Sequence, residues 1–304
     1  MPHAPPPSAH ARLGHPISVE VMRYEEVFAP PLRPCGDHLQ SASPIERLYQ
    51  QSLSCLVIKG ALPSDHLEQV SERLSAPERV WGHPNQGMKG GEIRTIGAAA
   101  TPCFTSFTGP DERAYLSSAQ ALPELNRVVF DELDPVAHLQ DLFSELADGA
   151  SAQPPHFIRG EERLGRWLPF NYRALDEGEQ IYTHHDQHYR LPIYQGMPAE
   201  LDRHTVLSWF LTLQPPESGG ELILYGLWGS DPEPPMLPSR FVDTDALERD
   251  YLKEHVALEQ GDLVIFDSGH FVHRVTPVRG ATPRLTLGGF MTLSRDRRAL
   301  AFWS

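Results

Sequence analysis

From Trp167 onward the chain is a run of short segments rich in β-branched and aromatic residues. "RWLPFNYR", "EQIYTHHD", "TVLSWFLTLQ", "GELILYGLW", "GDLVIFDS", "FVHRVTPV" and "RLTLGGFMTLS" follow one another, separated by the turn residues "DEG", "PPESGG", "EQGD" and "RGATP". Strand-sized segments at that spacing predict an antiparallel sandwich or barrel. One interruption, residues 229–259, is long. Pro-rich at first, it ends in "DALERDYLKEH", a predicted short helix with Asp245 and Glu248 at capping-box spacing. An insertion of that length in a compact β fold is expected to serve as a lid.

The first half has another texture. Residues 1–18, rich in Pro, Ala and His, are expected to form a disordered arm. Residues 19–164 are expected to form a mixed, partly helical support region. Within it "SCLVIKGALP" predicts a buried strand and a turn. "SDHLEQVSERL" predicts a helix that presents Leu67, Val70 and Leu74, with Ser64 or Asp65 as its cap. "GHPNQGMKGGEIRTIG" is glycine-rich and loop-like. "DPVAHLQDLFSELA" places Asp134 as cap and Pro135 at the first helical position. Its apolar stripe is Val136, Leu139, Leu142, Phe143 and Leu146. The expected whole is mainly β with flanking helices, one catalytic domain whose core is residues 165–304.

At 304 residues and 40% apolar the chain is long enough for one sizeable core. A formal charge of −14 without any basic run excludes a nucleic-acid surface. No stretch reaches membrane-spanning length, and "MPHAPPPSAHARLGH" lacks the apolar core of a signal peptide. Cys35, Cys55 and Cys103 are odd in number and widely spaced, which predicts free thiols in a reducing compartment. A cytoplasmic protein is the expectation.

"YTHHDQHY", Tyr182 to Tyr189, gathers three histidines and a carboxylate. On a strand His184 and Asp186 share a face and His185 points away. An imidazole and a carboxylate on one face are two-thirds of a facial triad, although the triplet alone is weak evidence. A third ligand must come from a neighbouring strand. "GHFVHRVTPVRGATPRLTL" offers His270, at a turn, and His273, within an apolar alternation that is equally that of an ordinary strand histidine. Eleven residues after His273 stands Arg284, with Thr286 on its face. A buried Arg on a strand is costly unless paired with an anion, and its planar fork suits a carboxylate.

These motifs resemble the Fe(II)/2-oxoglutarate-dependent dioxygenases, in the branch similar to prolyl 4-hydroxylases. The resemblance is carried by "NYRALDEGEQIYTHHD", "SGGELILY", "GDLVIFDSGHFVHRVTPVRGATPRLTL" and, more loosely, "SCLVIKGALPSDHLEQVSERL". It implies a double-stranded β-helix, or jelly-roll, core. It implies Fe(II) held by His184, Asp186 and His273. Arg284 would grip the distal carboxylate of 2-oxoglutarate, with Thr286 and Tyr172 as helpers. The implied chemistry consumes O2, releases succinate and CO2, and abstracts hydrogen from a substrate C–H. Related halogenases carry a small residue in place of the carboxylate, so Asp186 favours hydroxylation, with desaturation or ring formation also open. His185, His188, Gln187, Tyr189, Trp209, Glu221, Arg94 and Trp303 are candidates for neighbouring roles, with core or solvated positions as the plainer readings.

Three functions compete at this point. One is hydroxylation of a small molecule, such as a free amino acid or a natural-product intermediate. Another is the same chemistry on a protein or peptide side chain. The third is a non-redox, metal-binding β-sandwich, which would have no use for Arg284.

Overall fold

The computed structural model describes residues 13–29, 42–76, 94–96, 110–186, 192–231, 235–238 and 242–304. Its strands are β1 (Val19–Arg23), β2 (Cys55–Lys59), β3 (Arg94–Ile96), β4 (Ser151–Gln153), β5 (His156–Arg159), β6 (Glu162–Arg166), β7 (Asn171–Leu175), β8 (Ile181–His184), β9 (Leu207–Gln214), β10 (Ser218–Gly219), β11 (Leu222–Trp228), β12 (Lys253–Val256), β13 (Leu263–Phe266), β14 (Phe271–Val275), β15 (Val278–Arg279), β16 (Arg284–Leu293) and β17 (Ala299–Trp303). Its helices are α1 (Tyr24–Val27), α2 (Pro44–Tyr49), α3 (Ser64–Ser75), α4 (Pro110–Phe130), α5 (Pro135–Leu146) and α6 (Thr244–Asp250).

Two sheets make the double-stranded β-helix. The major sheet runs β1-β2-β13-β9-β16-β17-β4, with β7 paired to the first half of β16 and β3 beyond it. The minor sheet runs β12-β11-β14-β8. Alternation along β9 and β16 divides their side chains between two faces. Trp209, Leu211, Leu213, Leu285, Leu287 and Met291 join the large core, together with Leu67 and Val70 of α3 and Leu139 and Phe143 of α5. The opposite face turns toward the minor sheet. There Val57, Val264 and Phe266 pack with Leu222 and Leu224 of β11 in a second core. Helices therefore cover one face of the major sheet, and the space between the sheets is left for a site.

α5 starts as its sequence predicts: Asp134 Oδ1 accepts from the backbone N–H groups of Val136 and Ala137, and Pro135 opens the helix. Leu139, Leu142, Phe143 and Leu146 are buried. Cys55 is a buried free thiol on β2, pushed up in pKa by desolvation. Cys35 and Cys103 lie outside the described residues, as does residues 82–93 of the glycine-rich stretch.

Several expectations are corrected. Residues 13–18 are seated on the fold. Leu13 N–H donates to the Asp250 carbonyl and His15 N–H to that of Gly226, while Leu13 bridges Tyr251; residues 1–12 lie outside the described set. The region 19–164 contributes β1, β2, β3 and β4 to the major sheet, so it is part of the sheet as well as its support. α3 has Pro63 in its cap position, where Ser64 or Asp65 was expected. The helix of the insertion is shorter than predicted. Asp243 caps it by accepting from Ala246 N–H, and Lys253–Val256 is a strand at the edge of the minor sheet. Leu247 of α6 packs with Ile223, Tyr225, Leu227 and Val272 on the sheet's outer face. Among the described residues, none that lines the pocket between the sheets comes from the insertion, so its described part is a brace where a lid was expected. Among the described residues no helix is long and apolar enough to cross a membrane.

Candidate metal centre

β14 lies between β11 and β8, and His273 pairs directly with His184 across the β14–β8 ladder. β8 ends at His184. Two residues on, the Asp186 N–H donates to the Ser268 carbonyl at 2.8 Å, which turns the carboxylate back toward both imidazoles. One donor atom from each of His184, Asp186 and His273 lies within 4.8 Å of the others. His184 Nε2 is 3.5 Å from Asp186 Oδ1, and His273 Nε2 is 3.7 Å from Oδ2.

The tautomers suit a cation. His184 Nδ1 lies 2.6 Å from the Tyr182 carbonyl and His273 Nδ1 lies 2.9 Å from that of Phe271. A carbonyl only accepts, so each Nδ1 carries the proton and each Nε2 lone pair faces the cluster. Ser208 of β9 donates from Oγ to Asp186 Oδ2 at 2.7 Å and fixes the carboxylate plane. Burial pushes His273 down to about 4, assisted by the neighbouring His184, so it is neutral at pH 7. Burial also pulls on His184, but the negative Asp186 carboxylate 3.5 Å from its Nε2 outweighs this, and its pKa is raised.

The same pocket holds Arg284, only 5% exposed. Its guanidinium lies over the Phe210 ring, 4.7 Å from the centroid, and has no carboxylate partner or hydrogen bond among the described residues. Burial first and Arg173 second push it down to about 10. A buried cation without an anion is what a site for an anionic ligand looks like before the ligand arrives. Gly220, at φ +66°, is where the chain turns beside it; a Cβ there would come within 2.9 Å of Arg284 Cδ. Thr286 shares the pocket. Thr212 faces Thr286 across the β9–β16 ladder, and its buried hydroxyl has no partner among the described residues.

Tyr172 is corrected. It pairs with Leu287 on the helix-facing side of the sheet, fully buried, and its hydroxyl donates to Asn126 Oδ1 of α4 at 2.7 Å. Its neighbour Arg173, paired with Thr286, reaches the pocket instead. His185 stays outside the metal cluster and packs on Gly229, where a Cβ would come within 2.3 Å of its ring. Gln187, His188 and Tyr189 lie outside the described residues. Trp209 and Trp303 are buried in the core, Arg94 pairs with Asp176, and Glu221 faces His255 at the surface.

Sequence reasoning missed Ser208, Thr212 and Arg173. The first two were legible: in "LSWFLTL" they are the polar positions two apart from Phe210, on the face opposite Trp209 and Leu211. Arg173 carried no such signal.

A model of the family described as carrier-protein-independent halogenase WelO5 matches residues 34–304. The chain belongs to this family. It is thereby an oxidoreductase of the Fe(II)/2-oxoglutarate-dependent oxygenase superfamily, whose chemistry uses Fe(II), 2-oxoglutarate and O2. The two imidazoles, the carboxylate and the guanidinium without a carboxylate partner among the described residues fit that group of cofactors. Among solved structures, an N-substituted L-amino acid dioxygenase from Burkholderia ambifaria AMMD, in complex with alpha-KG, shares the fold of this WelO5-family chain. It is 16% identical over 86% of this chain and 90% of that one, with a TM-score of 0.52. A Pseudomonas putida prolyl-4-hydroxylase is 14% identical over 83% of this chain and 97% of that one, with a TM-score of 0.38. The epimerase SnoN from nogalamycin biosynthesis is 15% identical over 82% of each chain, with a TM-score of 0.42. A comparison with curated proteins finds no match.

Proposed function

We propose that this oxygenase hydroxylates an unactivated C–H bond of a small molecule, a free amino acid or a natural-product intermediate, with release of succinate and CO2. The carrying observation is the buried Asp186 carboxylate, held by Ser208 beside two imidazole Nε2 atoms, in one pocket with an unpaired Arg284. In this reading His184, Asp186 and His273 hold Fe(II), and Arg284, with Thr286 and Thr212, holds the distal carboxylate of 2-oxoglutarate. Fe(II) bound there supplies the O2-dependent decarboxylation that drives C–H oxidation. The protein binds and orients both molecules and keeps water away. Phe210, Phe266, Leu222 and Val275 wall the pocket with apolar surface. The amino-acid dioxygenase of the same fold supports the substrate class.

The family's description favours a second reading, halogenation. It requires a position on the metal for a halide. In the reading proposed here Asp186 would take that position, kept there by the bond from Ser208, which supports hydroxylation. The test is anaerobic loading with Fe(II) and 2-oxoglutarate, exposure to O2 in chloride buffer with a panel of amino acids, and mass spectrometry. Succinate release with a product heavier by one oxygen is expected. A chlorinated product would overturn the reading, and so would tight zinc binding without a 2-oxoglutarate charge-transfer band.

A further inference from the structure

α6 belongs to the insertion, and the metal reading gives it no task. It lies on the outer face of the minor sheet, where Leu247 is fully buried among Ile223, Tyr225, Leu227 and Val272. Its polar side chains reach all four strands of that sheet. Thr244 shares a 2.8 Å hydrogen bond with Thr183 of β8. Glu248 Oε1 accepts from the Tyr225 hydroxyl of β11 at 2.5 Å and from the Arg274 guanidinium of β14 at 2.7 Å, while Oε2 accepts from Lys253 Nζ of β12. Burial alone would raise the Glu248 carboxyl; Lys253, Tyr225 and Arg274 hold it down at about 2, so it is a carboxylate at pH 7.

Two of these contacts fall next to the triad. Thr183 precedes His184, and Arg274 follows His273. A strand sends adjacent residues to opposite faces, so Arg274 goes out to α6 while His273 goes in to the pocket. β8 departs from that regularity. Ile181 pairs with Val275 and His184 with His273, so a three-residue step on β8 faces a two-residue step on β14. Such a bulge re-aims a side chain, and here it brings both Ile181 and His184 to the pocket. β8 is also the edge strand of its sheet, with β14 as its one neighbour among the described residues. A bulged edge strand needs a second hold, and Thr244 supplies it at Thr183. The imidazoles pass the placement on. Each Nδ1 donates to the carbonyl two residues back in its own strand, Tyr182 for His184 and Phe271 for His273. Where the strand goes, Nε2 goes.

We propose that α6 sets the spacing of the two imidazoles: Thr244 and Glu248 are positioning residues that fix His184 and His273 from behind the sheet. This rests on the reading of His184, Asp186 and His273 as the metal centre. The insertion then acts on the centre without touching it. Loss of either hold leaves the fold in place but widens the range of imidazole positions, which weakens metal binding and disturbs its geometry.

The probe is Co(II), titrated anaerobically into the full chain. Its visible absorption reports the number and geometry of its ligands, and the same titration gives its affinity. The variants are Thr244→Val, Thr244→Ser and Glu248→Gln, with His273→Ala to show that the signal comes from the triad. Tyr115→Phe is the stability control: its hydroxyl donates to the Ser304 carbonyl and accepts from the Leu168 N–H in the main core. Each Tm is measured without metal alongside. Thr244→Val and Glu248→Gln should each weaken Co(II) binding by roughly threefold to tenfold, below the roughly tenfold to hundredfold of a group bonded to a ligand itself, and should shift the visible band. Thr244→Ser keeps the hydroxyl and should restore both. Tyr115→Phe should lower Tm with parental affinity and spectrum. Parental affinity and spectrum in both Thr244→Val and Glu248→Gln overturn the proposal. Affinity that falls with Tm across all variants, Tyr115→Phe included, also overturns it, because the centre then follows global stability. If the unmodified protein binds Co(II) no better than His273→Ala, the metal reading itself fails and this inference falls with it.

Discussion

Replacing Arg284 by Met should move stability and ligand affinity in opposite directions. In the ligand-free fold the guanidinium is 5% exposed and is pushed down to about 10, by burial first and by Arg173 second. A base whose folded pKa lies below its unfolded one is destabilising while charged. The penalty is whole below the folded value, hence at pH 7, and disappears only above the unfolded one. The size of the shift corresponds to a penalty of about 3 kcal/mol. The stack on Phe210, 4.7 Å from its centroid, offsets about 1 kcal/mol of this. Met keeps much of the methylene packing. The ligand-free variant is therefore expected to be more stable by about 1–2 kcal/mol, a rise in Tm of a few degrees. With ligand the sign reverses. Removing one partner of a buried charged pair costs about 2–5 kcal/mol of binding, roughly thirtyfold to several thousandfold in Kd. The assay is anaerobic thermal unfolding with Fe(II), with and without 2-oxoglutarate. At a hundredfold excess over its Kd the ligand should add about 2.7 kcal/mol to the unmodified protein, and at the same concentration no more than about 0.9 kcal/mol to the variant. A variant less stable without ligand than the parent would refute the account of an unpaired buried cation. One stabilised by 2-oxoglutarate as strongly as the parent would refute the assignment of its anion.

Three further perturbations probe the surroundings. Tyr172→Phe should cost about 1–2 kcal/mol of stability through the lost bond to Asn126, while leaving the Kd for 2-oxoglutarate unchanged; a weakened Kd would return Tyr172 to the pocket. Ser208→Ala frees the Asp186 oxygen it holds and should lower Fe(II) affinity by roughly tenfold to a hundredfold in a competition titration; unaltered affinity would mean that the Ser208 bond does not orient the carboxylate. His270, whose pKa is raised by its hydrogen bond to Asp267 despite partial burial, stabilises the fold fully below 6.5 and progressively less as pH rises through its folded pKa. His270→Gln should remove that component from a Tm-against-pH curve, and parallel curves for the two proteins would show that the pair is energetically silent.

The cluster of His184, Asp186 and His273 and the buried Arg284 were legible because their chemistry conflicts with their setting. His273 and Arg284 stand in alternating apolar segments where a polar residue needs a reason. Turn punctuation located most of the core strands for the same reason: Gly and Pro break patterns that β-branched residues sustain. α4 was not legible. Pro123 lies inside it, and an interior proline removes a helix hydrogen bond and costs about 3 kcal/mol, which reads as a helix stop. The structure overrides that cost with tertiary packing: Tyr115, Leu122, Val129 and Phe130 are all buried in the main core. β1 to β4 were not legible as members of the major sheet either. Strand membership depends on pairing with β13, β17 and β7, partners a hundred or more residues away for β2 and β4, which local pattern does not encode.

The exchange of Tyr172 for Arg173 has a physical basis that applies to the whole major sheet. A strand turns adjacent residues to opposite faces, so a difference of one position moves a side chain from the core to the pocket. Usually hydrophobicity settles the question, because one face is wet. In β7 both faces are covered, by α4 and its core neighbours on one side and by the minor sheet on the other, and the strand is buried almost throughout. Tyr172 and Arg173 both carry an apolar stem and a polar tip, so either could be placed on either face by composition. What decides is the register with β16. Thr286 faces the pocket, Arg173 pairs with Thr286, and Tyr172 pairs with Leu287 on the other side. The polar tips then find different partners: Asn126 accepts from the Tyr172 hydroxyl within the core, whereas Arg173 donates to Asn171 behind it and lines the pocket. A phenol can be satisfied inside the fold by one amide, but a guanidinium needs an anion, and in this sheet the place for an anion is the side that faces the triad.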